Sequence, residues 1–197
     1  MQRTERLTAD TGQLDLCDAA WYQRSAAVFS SRRALDLAAS AIRRRIRMAF
    51  ERRRDRYLVT TDKTRLDLRV IHGFLRRSYW AAGIPSEVVE RSIRNSLAFG
   101  LFYDEEQVGF ARVVTDRATF AYLADVFVPE GHTGRGLGGW MVEVVLSHPE
   151  LQGLRRWMLA TADAHGLYKR YGFASLKSPE IFMERHDPDV YKRGSTS

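Results

Sequence analysis

An apolar run over residues 120–128 stops at Pro129 and gives way to a glycine-rich stretch, with glycines at 131, 134, 136, 138 and 139. A helical pattern follows from Trp140. Strand, glycine-rich turn and helix in that order present backbone N–H groups to a phosphate. Glycine suits the turn because a Cβ would hold an anion away from the backbone. Two common phosphate loops are excluded. No Gly-Lys-Ser/Thr follows, so this is not a triphosphate-binding loop. The spacing Gly134-Arg-Gly136-Leu-Gly138-Gly139 does not match a dinucleotide fingerprint, and the preceding strand ends a meander rather than opening a βαβ unit.

That meander is legible upstream. Residues 97–103 and 108–115 read as strands around the turn Asp104-Glu-Glu-Gln, with 120–128 as the third. Before it, Tyr57-Leu-Val-Thr-Thr reads as a short strand. Leu66, Val70, Ile71, Phe74 and Leu75 share a helical face, and a second helix starts at Ser86. After the glycine loop come a strand over 157–161, a short helix over 163–171 ended by Gly172, and a strand pair at 173–176 and 181–184. The expected fold class is α+β: a mixed, mostly antiparallel central sheet flanked by helices, with a helical N-terminal extension.

Charge separates the extension from the body. Residues 1–56 carry 13 Arg and no Lys against 7 acidic residues, a net +6 of the chain's +7. Residues 31–56 lack Gly and Pro. Leu35, Ala38, Ile42, Ile46, Ala49 and Phe50 recur there at helical spacing, which predicts a basic amphipathic helix capped by Ser31. Such a helix is open to contact with nucleic acid, an anionic membrane or a second subunit, or to being a non-native extension. The expected organisation is therefore an extension over 1–56, a domain over 57–187 and a tail over 188–197. No apolar run reaches the ~20 residues that span a bilayer, and Met1-Gln-Arg-Thr-Glu-Arg is no secretory signal. A single cysteine, Cys17, suits a reducing compartment. The expected location is cytoplasmic, and no metal site is expected.

Val126-Phe-Val-Pro-Glu followed by Thr133-Gly-Arg-Gly-Leu-Gly-Gly resembles the first signature of the Gcn5-related N-acetyltransferases (GNAT superfamily). Leu167-Tyr-Lys-Arg-Tyr-Gly-Phe173 resembles the second. The resemblance spans roughly residues 57–187. It implies acetyl-coenzyme A as cofactor, with the pyrophosphate on the backbone of Thr133, Gly134, Arg135, Gly136, Leu137 and Gly138. Thr133 stands where the family has Arg or Gln, so a side-chain contact is lost there, and Arg135 either supplies charge instead or is a solvated surface side chain. The pantetheine arm is expected beside Phe127 and Val128, where the central strand splays from its neighbour. A backbone N–H near Phe127 would face the thioester oxygen.

Tyr168 aligns with the tyrosine that protonates the departing thiolate. A thiol titrates near 8.5 and tyrosine near 10, so the transfer needs a modest environmental shift or a water. Asp163 either contacts the pantetheine or caps the short helix. Asp125, acidic within an apolar strand, has three open roles: binding a cationic amine, accepting a proton through water, or pairing with an internal arginine. Arg112 lies on the adjacent strand, facing a side the sequence does not fix. Tyr79 and Trp80 border the acceptor pocket or cap the core. The resulting expectation is direct transfer of acetyl from acetyl-coenzyme A to the amine of a small molecule or amino acid, with a homodimer as the partner to test. The alternative is a non-catalytic acyl-coenzyme A sensor.

Overall fold

The computed structural model describes residues 49–191 and 193, all in the unit that begins at Ala49. Readings that fall on residues 1–48, including most of the basic helix, lie outside the described residues. Six strands form one sheet in the order β1 to β6. They are β1 (Glu51–Arg54), β2 (Tyr57–Thr60), β3 (Leu97–Tyr103), β4 (Glu106–Thr115), β5 (Phe120–Phe127) and β6 (Arg156–Met158). Neighbours run antiparallel up to β5, and β6 lies parallel to β5. β3 is buried along almost its whole length, so its near-continuous apolar run is what a sheet covered on both faces requires.

The covers are α1 (Leu68–Leu75) and α2 (Ser86–Arg94) on one face and α3 (Leu137–Leu146) on the other. On the first face Ile71, Leu75 and Val89 bury Ala98, Phe110 and Phe127. On the second, Met141, Val142 and Val145 bury Val59, Phe99, Leu101 and Val113. α4 (His165–Lys169) follows β6 and adds Tyr168 to the second core. Asp67 opens α1 by accepting the Arg69 N–H. No helix among the described residues is long and apolar enough to cross a membrane.

Three expectations are corrected. Residues 51–54 are not the end of a basic helix but an edge strand, joined to β2 by a turn in which Asp55 takes φ 54°. Helical apolar spacing ends at Phe50. The charged run after it suits an edge strand, where charge blocks further pairing, and Asp tolerates the left-handed turn. The sheet therefore starts upstream of Tyr57, the expected domain boundary. β6 is shorter than predicted and stops at Met158. The 173–176 and 181–184 strand pair does not form either: a 3-10 turn occupies Pro179–Ile181. Pro179 has no N–H to give a ladder, and the three-residue β6 offers little edge to extend.

Candidate functional site

β5 and β6 pair at only three positions, from Phe120↔Arg156 to Tyr122↔Met158. β5 then continues to Phe127 alone on that side, while residues 159–164 turn away towards α4. This opens a wedge at the C-terminal end of the parallel pair, the place where α/β sheets hold ligands. The glycine loop leaves from the same end.

Loop and helix are coupled by conformation. Gly136 caps α3 with φ 71°, a left-handed value strained for any residue with a Cβ. Its carbonyl accepts the first intrahelical bond, from Trp140 at 3.0 Å. The N–H groups of Leu137, Gly138 and Gly139 then open α3 with no partner inside the helix. Gly139 serves packing: a Cβ there would stand 2.8 Å from the Tyr171 hydroxyl, so this glycine lets Tyr171, just past α4, approach α3. Thr133 differs from expectation. Its N–H bonds the Glu130 carbonyl at 3.1 Å and its hydroxyl bonds the same oxygen at 2.8 Å. The donors left for an anion begin at Gly134.

Arg135 is not a free surface side chain. Its Nη1 donates to the Tyr57 hydroxyl at 3.3 Å, and that hydroxyl lies 3.2 Å from His132 Nδ1. Arg54 donates from Nη2 to the Arg135 carbonyl at 3.0 Å and lies over the Trp140 ring at 4.9 Å. Neither arginine forms an ion pair among the described residues. Two uncompensated guanidinium groups thus flank the start of α3. Arg54 was missed in the sequence, where it falls in an arginine-rich run of helical appearance. The available signal was Asp55-Arg56 ahead of the β-rich run at Tyr57, which marks a hairpin.

Across the wedge, Phe127 is buried and stacked on Phe74 with centroids 3.9 Å apart at 7°. Val128 is half-buried against the α3 core. Tyr79 and Trp80 sit in the α1–α2 connection, in T-shaped contact and exposed. The Tyr79 hydroxyl accepts the Ala162 N–H at 3.0 Å, so this connection reaches the loop that carries Asp163. Asp163 is exposed and does not cap α4; the N–H of Ala164, the residue flanking that helix, goes to Thr161 Oγ1 instead.

Tyr168 is 9% exposed and packs edge-on to Phe173. Burial pushes its phenol above the ordinary tyrosine value, with Tyr79 and Asp163 adding to the rise. Tyr168 also lines a cavity of about 310 Å³ beside β6, with Trp157, Thr161 and His165. No residue of the glycine loop borders it.

Asp125 lies in a β-bulge. The β4–β5 register shifts between Phe110↔Phe127 and Arg112↔Ala124, leaving one extra residue on β5. Asp125 takes φ 55°, and its Oδ2 accepts from Arg112 Nε at 2.7 Å. Of the three roles left open for Asp125, the structure contains the arginine pairing. His72 is a structural histidine, bonded through Nε2 to the Ile84 carbonyl at 3.0 Å.

The comparisons with known proteins agree with this fold. The family model for the acetyltransferase (GNAT) family matches residues 68–173. A Gibberella zeae protein described as a provisional acetyltransferase is 34% identical over 135 residues, covering 57% of this chain and 75% of the relative. A crystal structure from Xanthomonas campestris pv. campestris, described as a provisional acetyltransferase of the GNAT family, is 51% identical. It aligns over 68% of this chain and 96% of its own, with TM-score 0.67. A Deinococcus radiodurans structure at 20% identity and TM-score 0.57 shares the fold, over 72% of this chain and 96% of its own.

Proposed function

The chain belongs to the acetyltransferase (GNAT) family, and from that premise we propose that it transfers acetyl from acetyl-coenzyme A directly to the amine of a small molecule or amino acid. The observation that supports this reading is the β5–β6 wedge beside the glycine-capped N-terminus of α3, with Tyr168 buried in the core that α3 and α4 share.

The residues present fit that cofactor. Free N–H groups from Gly134 to Gly138, with Arg135 and Arg54 beside them, suit the pyrophosphate. The unpaired side of β5 at Phe127 and Val128 suits the amide-bearing pantetheine arm, which can pair as a strand would. Asp163 is exposed in the loop between β6 and α4. When bound, the cofactor supplies a thioester carbonyl for the amine nitrogen to attack and a thiol as leaving group.

The chain then has four tasks. A backbone N–H near Phe127 stabilises negative charge developing on the carbonyl oxygen. Tyr168 would be the proton donor to the thiol sulfur of the bound cofactor, regaining its proton from solvent. The proton released by the new N–C bond passes through water towards Asp125 Oδ1, the oxygen that Arg112 leaves free. Tyr79 and Trp80 enclose the acceptor. Initial rates measured while varying both substrates test the direct route. Intersecting double-reciprocal lines are expected, whereas parallel lines would indicate an acyl-enzyme and contradict it.

The glycine cap gives a second expectation. Gly136→Ala places a Cβ at φ 71° and strains the cap by roughly 1–2 kcal/mol. Relief requires the loop to move, so acetyl-coenzyme A affinity should fall about tenfold by calorimetry. Affinity unchanged within twofold would remove this loop from the cofactor site.

A further inference from the structure

Arg112 occupies an unusual row of the sheet. Its cross-strand neighbours are Ala98 on β3 and Ala124 on β5. With a methyl group on either side, the arginine stands alone in a trough. On its strand, Phe110 is fully buried beneath α1 and α2, while Val114 is 44% exposed. Arg112 therefore stands where the helical cover ends, and its side chain is 17% exposed.

Its bonding is incomplete in a particular way. Nε is held by Asp125 Oδ2, and the Arg112 guanidinium makes no other hydrogen bond among the described residues. Among the described residues, no side-chain polar atom sealed from solvent lacks a partner. Nη1 and Nη2 therefore reach solvent, as does Asp125 Oδ1. The Nη1–Nη2 edge of a guanidinium is one that takes a carboxylate with two parallel bonds. Asp125 is aimed at Arg112 by the bulge, at φ 55°, a conformation that disfavours most side chains. The pair is electrically balanced, so neither a lone anion nor a lone cation is strongly preferred. A molecule with both signs of charge matches it at both ends.

We propose that Arg112 is a specificity residue and that the acceptor is an amine that also carries a carboxylate, of the amino-acid class. The carboxylate lies across Nη1 and Nη2, and the amine is drawn towards Asp125 Oδ1. Asp125 also positions Arg112 by fixing its Nε. This rests on the acetyl-transfer reading above.

The test measures thiol release at saturating acetyl-coenzyme A with three panels: amino acids, their decarboxylated amines, and amines bearing a phosphate. Amino acids should exceed the decarboxylated amines by about 100-fold in kcat/KM, since two charge-assisted bonds are lost together. The difference should lie mainly in KM. Arg112→Gln and Arg112→Lys should reduce that ratio to below about tenfold, with calorimetric acetyl-coenzyme A affinity as the control for folding. If Arg112→Gln does not fold, the neutral double variant Arg112→Gln/Asp125→Asn replaces it, and the same collapse is expected. A wild-type ratio below threefold, a ratio retained in these variants, or a preference for phosphorylated amines overturns the proposal and leaves acetyl transfer standing. Acetyl-coenzyme A binding with no thiol release from any panel overturns both.

Discussion

Replacing Tyr168 with Phe should lower kcat by about 10²-fold, the usual scale for loss of a general acid, and leave acetyl-coenzyme A affinity unchanged. The ring would keep its buried place beside Phe173, so the loss reports the hydroxyl alone. The pH dependence follows from the direction of the phenol's shift. A donor acts while protonated and fails as pH rises through its own pKa. Burial holds that value above 10.0, so Tyr168 should impose no limb on the rate between pH 7 and 9.5. The sequence suggested that tyrosine would need help to protonate a thiolate, and the structure moves the tyrosine further from the thiol's ordinary value of about 8.5. The same dry surroundings make a departing thiolate a stronger base, which narrows the gap. A Tyr168→Phe rate equal to wild type across this range would remove Tyr168 from the chemistry.

Phe110→Ala should be the most damaging core change near the site. Phe110 is fully buried, and its ring centroid lies 6.2 Å from that of Phe127. Truncation of a buried phenylalanine costs about 3–5 kcal/mol, because a cavity remains. For a chain of this size that lowers Tm by roughly 10 °C. The effect should reach function as well. Phe110 and Phe74 both pack against the ring of Phe127, the last residue of β5. With one support gone, acetyl-coenzyme A affinity should weaken at temperatures where the variant is still folded. A Tm drop under 3 °C, or full affinity with the drop, would show that this stack does not hold the end of β5.

Much of this was legible in the chain. The meander β3–β5 was readable because each strand is bounded by turn residues and carries a long apolar run. The loop and α3 were readable because glycine spacing and helical periodicity meet at Gly136. The short helix α4 was readable from its place ahead of Gly172. Other features depend on information a local pattern does not contain. β1 is defined by pairing to β2, and its charged residues follow a helical pattern without a break. The Arg112–Asp125 pair depends on a bulge, which moves Asp125 out of strict alternation. Thr133 looked available to an anion, but a 3-10 turn at residues 130–132 consumes its N–H. The C-terminal strands failed because Pro179 has no N–H for a ladder and β6 is too short to receive them.

The central claim is acetyl transfer at the β5–β6 wedge. It is tested most directly by thiol release from acetyl-coenzyme A, followed with and without the amine panels on the full chain. The account predicts release that requires an added amine and is matched mole for mole by acetylated product. Calorimetric binding of acetyl-coenzyme A, with no amine-dependent release across all panels, would contradict it and identify the protein as an acyl-coenzyme A sensor.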